Sequence, residues 1–316
     1  MIRVPEEFAR ATVAREGEAG RDWLATLPGL LSALLERWNR VPAAPATHGQ
    51  VGVVLPVRRA GADRRGGAGT NGERTGEEGA DAVLKVSFPH PGNDHEPDAL
   101  AAWAGHGAVT LLRRDDAHYA MLLERAGPAS LATLADTEEA ITRAGRLARR
   151  LAVPAPPGPP RLSDATGEWA EQLRKDADRL PDPLPAYLVD AALATLDELG
   201  PDQPDTFVHG DLHFANVLRS HREPWLAIDP KGLVGDPAYD SLTLLRTRPA
   251  ELLAAADPGA AVLRRLAVFA DAAEVDRERA RRWAQFRAVE AAHWGRAHGE
   301  PAELVRLTDA LAALLT

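Results

Sequence analysis

The chain contains no cysteine, which removes disulfides, thiolate nucleophiles and zinc–thiolate centres from consideration. No stretch approaches the ~18 consecutive apolar residues of a membrane span. The N-terminus, with Pro5, Glu6 and Glu7, lacks the apolar run of a secretory signal. A basic excess is missing too. Lys and Arg number 37 against 46 Asp and Glu, a net charge of -9, so the positive footprint that nucleic-acid binding needs is absent. Neither G-x-G-x-x-G nor a Walker A motif occurs anywhere. These absences lead to the expectation of a cytoplasmic protein, monomeric by default, with no nucleic-acid or membrane partner. An acidic balance suits a small cationic substrate, concentrated by a field that weakens with salt.

What is present is ordinary globular composition, 45% hydrophobic and 26% charged, in a length that allows two lobes with separate cores. Leu27, Leu30, Leu31, Leu34, Leu35 and Trp38 fall on one helical face, and Pro42 and Pro45 are expected to stop that helix. From Gly49 the pattern changes: Val51, Val53, Val54, Leu55 and Val57 read as a strand. Residues 61–80 hold seven glycines and no large apolar side chain, and are expected to form a flexible hairpin insert. Strand signals return at 81–88, 109–113 and 119–124, with a short helix at 97–103 between them. After Gly127 and Pro128 the helical period dominates, at 137–151, 167–180, 187–199, 277–298 and 302–315. The expected class is therefore α+β, with a small β-rich lobe over residues 1–126 and a larger, mainly helical lobe over 127–316.

Chemistry concentrates in the second half. The segment Val208-His209-Gly210-Asp211-Leu212-His213-Phe214-Ala215-Asn216 is followed by Trp225-Leu226-Ala227-Ile228-Asp229-Pro230-Lys231-Gly232. An aspartate, an asparagine five residues later and a second aspartate at the end of a strand suit phosphoryl transfer. That reaction needs a carboxylate to take the hydroxyl proton and hard oxygen ligands for the magnesium on the nucleotide phosphates. Asp211 is the expected base, with Asn216 and Asp229 as metal ligands. The kinase pattern H-R-D-x-x-x-x-N is met with Gly210 in the place of its arginine. Asp211 alone could equally cap a helix or brace a turn; the spacing to Asn216 and Asp229 makes that bland reading the weaker one. His209 and His213 at i, i+4 have the spacing of a metal pair on a helix, but Gly210 between them argues for a loop in which His209 is a hydrogen-bonding residue.

Upstream, Val83-Leu84-Lys85-Val86 has the form of the kinase strand whose lysine pairs with the nucleotide phosphates. Such a lysine is more often a solvated edge residue, and the downstream loop is what raises its weight. Glu96 is the natural partner of Lys85. Pro97 follows it and disfavours helical geometry at Glu96, so Asp94 and Asp98 remain alternatives. Gly49 and Gly52 bracket the first strand but mark a phosphate loop only poorly.

These residues resemble the aminoglycoside phosphotransferase superfamily, and within it the group of streptomycin 6-phosphotransferases and hydroxyurea kinases. The marks are Val208 to His213, Glu223 to Gly232 and Val234 to Asp240. Supporting pieces are Val51 to Arg58, Met121 to Arg125, Val153 to Gly158 and Gly17 to Leu31. The resemblance implies the two-lobed protein-kinase fold, ATP and Mg2+ as cofactors, and a small-molecule hydroxyl as acceptor. It also implies Asp211 as base, Asn216 and Asp229 on magnesium, Lys85 (with Glu96) on the phosphates, and Met121, Glu124 and Ala126 in the hinge by the adenine. Asp236 and Asp240 would brace the catalytic region, or serve only as turn and cap residues. Streptomycin is the implied acceptor, with hydroxyurea or another metabolite as the alternative. Two departures stand out: the glycine-rich insert, and Arg149-Arg150-Leu151-Ala152 where superfamily members often carry a histidine. Glu290 and the stripe of Trp283, Phe286, His293, Trp294 and His298 could border the acceptor, although such a stripe is more often core. A protein kinase fits less well, since D-F-G and A-P-E are missing, and a catalytically dead scaffold has no physical need for the full set.

Overall fold

A computed structural model describes residues 2–61 and 82–316; the expected insert lies, beyond Gly61, outside the described residues. Contacts divide the chain into one unit of Met1–Pro97 with Val109–Ala126 and a second of Asp98–Ala108 with Gly127–Thr316. Residues 98–108, expected with the first lobe, thus cluster with the second.

The first unit opens with α1 (Glu6–Arg37), whose Leu27, Leu31 and Leu34 are essentially fully buried. The helix ends before either expected proline. Asn39 takes a left-handed φ of 51°, and the chain enters β1 (Arg40–Pro42), so Pro42 sits in a strand. It is tolerated there because β1 is an edge strand, paired only with β3. With β2 (Thr47–His48), β3 (Gly52–Arg59), β4 (Ala82–Ser87), β5 (Leu111–Asp115) and β6 (Ala120–Glu124) it forms an antiparallel sheet of order β1-β3-β4-β6-β5, β2 also pairing with β3. The period of two divides each strand between faces. Ala82, Leu84 and Val86 join Val53, Leu55, Ala120 and Leu122 against the apolar stripe of α1. Lys85 is thereby left on the opposite face, in register with Met121 of β6 and Val54 of β3.

α2 (Glu96–Trp103) follows β4, and the boundary between the units falls within it. The second unit then continues with α3 (Thr137–Leu151), α4 (Leu162–Arg179), α5 (Ala186–Leu199), α6 (Ser241–Leu245), α7 (Pro249–Leu253), α8 (Pro258–Ala273), α9 (Arg277–Ala297) and α10 (Ala302–Leu314). Four short strands pair as β7 (Phe207–Val208) with β10 (Leu233–Val234), and β8 (Val217–Arg219) with β9 (Trp225–Ala227). The sequence expectations contain no counterpart of α8. Its signals were terminal: Asp257 caps Ala260 N–H at 2.9 Å and Pro258 occupies the first turn. Among the described residues no helix is long and apolar enough to cross a membrane.

α3 and α8 approach closely at Gly145, where an added Cβ would lie 2.8 Å from the Cβ of Ala272 and 3.0 Å from the carbonyl of Phe269. Gly145→Ala gains up to ~1 kcal/mol of helix propensity, yet the overpacking costs about 1–3 kcal/mol. A net loss of stability in urea denaturation is expected; a gain would show that the two helices can separate freely.

Candidate active site

In the first unit, the burial of β4 brings Lys85 to 6% exposure, where an unpaired ammonium would be costly. Its Nζ lies 2.7 Å from both carboxylate oxygens of Glu96. Glu96 is the first residue of α2, so Pro97 falls in the first turn, where it sacrifices no helical hydrogen bond. Of the alternative partners, Asp94 accepts the hydroxyl of Tyr119 at 2.7 Å. Met121 is buried beside Lys85 in the sheet. The Glu124 side chain takes the N–H and hydroxyl of Thr110 at 3.0 and 2.9 Å, and its backbone N–H donates to the Thr110 carbonyl at 2.9 Å. Ala126 ends the unit.

In the second unit, β7 and β10 hold the two ends of the chemical segment side by side. Between them the His209 carbonyl accepts the N–H of Lys231 at 2.7 Å. Gly210 takes φ of 81°, and a Cβ there would lie 2.9 Å from that of Lys231. This explains why the kinase arginine is replaced by glycine. His209 is fully buried, stacked on Trp103. Its Nε2–H donates to the Ile228 carbonyl at 2.9 Å and its Nδ1 accepts the Asp211 N–H at 3.3 Å. Both bonds fit a neutral ring, and burial pushes its pKa down to about 4. The i, i+4 pair is thus no metal site: His213 instead caps Ala215 N–H through Nδ1 at 3.2 Å.

That cap starts a 3-10 turn, Phe214–Asn216, which turns the Asn216 side-chain amide onto the Asp211 carbonyl at 3.0 Å. The Asn216 carbonyl in turn accepts the Ile228 N–H at 2.9 Å. Asp229, next along the chain, holds a left-handed φ of 61°, a conformation that aspartate tolerates better than most residues. Asp211, Asn216 and Asp229 are therefore brought together by backbone bonds, with the Asp211 side chain 35% exposed. With its amide nitrogen engaged, Asn216 keeps Oδ1 for a cation, and Asp229 adds a carboxylate. Among the described residues no group of three or more His, Cys, Asp or Glu could hold a metal unaided. The donor set fits a magnesium ion that draws its remaining ligands from phosphates and water.

The loop is fixed from below. Asp240, 1% exposed, accepts the backbone N–H of His209 at 3.0 Å and of Gly210 at 2.7 Å. Thr243 adds a hydroxyl bond to the Leu212 carbonyl at 2.7 Å. Asp236 does different work: it caps Ala238 N–H at 2.9 Å and holds Trp283 and Arg279 of α9.

A sequence profile described as aminoglycoside/hydroxyurea antibiotic resistance kinase matches residues 69–299. The chain belongs to that family. It is 35% identical to a streptomycin 6-kinase of Streptomyces glaucescens over 93% of this chain and 91% of that one. It is 36% identical to a hydroxyurea phosphotransferase of Kitasatospora aureofaciens, over 96% and 83%. In structure it is similar to the aminoglycoside phosphotransferase APH(4)-Ia, in ternary complex with AMP-PNP and hygromycin B. There the TM-score is 0.56 and the identity 15%, over 90% of this chain and 97% of that one. The choline kinase LicA of Streptococcus pneumoniae follows, with a TM-score of 0.55 and 11% identity over 92% and 98%. The fold is the two-lobed, protein-kinase-like one, with a small strand-rich first part and a mainly helical remainder.

Three residues around this candidate site carried no signal in the sequence. Thr243 gains its role by lying one helical turn after Asp240, and Trp103 by stacking on a histidine distant in sequence. Arg287 of α9 places its guanidinium 4.2 Å from the Tyr239 ring centre. His293 is buried with neither ring nitrogen bonded among the described residues, so it belongs to the core.

Burial pushes Asp240 up to about 6, against the pull of Arg287 and the two amides. The folded state therefore keeps its proton longer than the unfolded chain, whose value is 3.8. The contribution to stability is complete below about pH 4 and is lost as pH rises through about 6. Asp240→Asn lacks this term. The stability of the wild type minus that of D240N is expected to fall by up to ~3 kcal/mol between pH 4 and 7.5, read from urea denaturation at each pH. A difference independent of pH would contradict the buried, titrating carboxylate.

Proposed function

We propose that this kinase transfers the γ-phosphoryl group of ATP to a hydroxyl of streptomycin, with Asp211 as base and magnesium as cofactor. The observation that carries the reading is the Asp211–Asn216–Asp229 set, linked by hydrogen bonds across the β8–β9 hairpin, with Asp240 anchoring the turn before Asp211. The names of the relatives supply the acceptor, and the net charge of -9 suits a polycation.

As the acceptor oxygen bonds to the γ-phosphorus, the bond to the β-phosphate oxygen breaks, ADP leaves and the hydroxyl proton passes to the Asp211 carboxylate. Asp211 lies on a partly exposed loop and is oriented by the Asn216 amide, so its contribution is positioning together with proton acceptance. Lys85, placed by Glu96, offers its ammonium to the nucleotide phosphates. Asn216 Oδ1 and Asp229 would hold magnesium, which neutralises phosphate charge when bound. The proposed setting is the cytoplasm, where ATP is supplied, with the chain acting as a monomer.

ATP consumption by purified protein with magnesium and streptomycin tests the reading. Asp211→Asn is expected to lower kcat by about 10²–10⁴-fold, and chelation of magnesium to abolish turnover. Lys85→Ala is expected to raise the KM for ATP at least ~10-fold, because the ammonium offered to the phosphates is removed. Turnover on hydroxyurea alone would keep the mechanism and move the acceptor to that of the second relative. No magnesium-dependent ATP turnover on any acceptor would overturn the reading.

A further inference from the structure

α1 is not one straight helix. Gly17 takes φ 63° and ψ -127°, a backbone state that residues with side chains rarely adopt, and an added Cβ there would meet nothing within 4 Å. Conformation, rather than room, is what calls for glycine. In a continuous helix residues eight apart are separated by about 12 Å along the axis. Here a Cβ on Gly20 would lie 2.9 Å from the Thr12 carbonyl oxygen, so residues 6–16 fold back as a separate arm. Phe8 of this arm is buried and belongs to the cluster that α1 forms with the sheet. Its ring lies 5.9 Å from that of Trp23 and 5.5 Å from that of His48. The arm thus sits on the face of the sheet opposite Lys85, beside the turn that joins β2 to β3. All of these residues are in the first unit.

That turn divides its backbone groups sharply. Four consecutive carbonyls are taken up by the protein. His48 Nδ1–H donates to that of Gly49 at 2.9 Å, and Arg15 donates to that of Gln50 at 3.1 Å. The Phe88 N–H reaches that of Val51 at 2.8 Å, and the Gly49 N–H that of Gly52 at 2.9 Å. Arg15 is itself oriented by Glu16, whose carboxylate lies 2.6 Å from its Nε. Among the described residues the N–H groups of Gln50 and Val51 make no hydrogen bond. A trans peptide places its oxygen and its hydrogen on opposite sides. Arg15 approaches from the arm and takes the Gln50 oxygen, so the Val51 N–H is turned toward the face that carries Lys85. The lysine is near: Gly52 stands opposite Ser87, two residues beyond Lys85, or about 7 Å along the strand.

We propose that Arg15 is a positioning residue for the nucleotide, holding the Gln50 carbonyl so that the Val51 N–H meets the phosphates that Lys85 receives. The inference rests on the reading above and deepens it. Successive N–H groups without partners bind anions, whereas a carbonyl rotated into the same place would repel them. Residues 49–51 lie outside the strand ladder, so no neighbouring strand sets the plane of the Gln50–Val51 peptide, and the arm sets it instead. A turn without the G-x-G-x-x-G spacing can in this way present amides to phosphate.

Titration calorimetry with ATP and magnesium, and separately with adenosine, tests this without an acceptor. Arg15→Ala is expected to weaken ATP binding ~3–10-fold, a modest loss because the side chain is 38% exposed. Adenosine, which has no phosphate, should bind as before. In turnover the change should fall on the KM for ATP, with kcat and the KM for streptomycin kept. Arg15→Lys, still able to donate to the carbonyl, is expected to restore most of the affinity. Arg10→Ala removes one charge from an exposed place on the same arm and is expected to leave ATP binding as it is, which separates local contact from overall charge. Unchanged ATP affinity in Arg15→Ala, an equal loss for adenosine, or a loss shared by Arg10→Ala overturns the proposal. Arg15-dependent ATP binding without phosphorylation of streptomycin would sustain it and overturn the proposed reaction. Phosphorylation of streptomycin indifferent to Arg15 would do the reverse, and a wild type that binds no ATP overturns both.

Discussion

The two carboxylate oxygens of Asp240 accept the backbone N–H groups of His209 and Gly210, in a place with 1% exposure. The turn that presents Asp211, the proposed base, is anchored by that contact. A buried amide without a partner costs about 1–3 kcal/mol, and the turn at Gly210 aims two of them into the core. Once they are satisfied, the chain reverses at a positive φ, Asp211 emerges on the exposed side, and Asn216 can return its amide to the Asp211 carbonyl. The cost is a carboxylate kept in an apolar setting, visible in its displacement to about 6. His209 makes the complementary compromise, staying neutral so that one nitrogen can donate and the other accept.

The first unit solves a parallel problem with a sheet. Strand alternation alone decides that Leu84 and Val86 face α1 while Lys85 faces the other way. The ammonium is then buried beside Met121 and requires the Glu96 carboxylate, which the first turn of α2 supplies. Pro97 helps in this position, because the N–H it lacks would have had no helical acceptor. A feature that argued against Glu96 in the sequence turns out to fix where its helix begins.

Much of this was legible in the residues. The apolar stripe of Leu27 to Leu34 and the helix over 137–151 follow from periodicity, and the residues picked out by spacing, Asp211, Asn216 and Asp229, are linked by hydrogen bonds in the structure. What escaped was non-local. Thr243 and Trp103 act on residues far away in sequence. Pro42 read as a helix stop because the edge strand that accommodates it is only three residues long.

Amide hydrogen exchange across residues 207–213, compared between wild type and D240N by mass spectrometry, tests the anchoring of the Asp211 loop most directly. The account predicts slow exchange of the His209 and Gly210 amides in the wild type. It predicts a loss of about one to two orders of magnitude of protection in D240N, where the side-chain amide can accept only one of the two N–H groups. Protection in β4 should not change. Equal protection of the loop in both proteins would contradict the account, and would mean that the Asp211 turn is held by something other than Asp240.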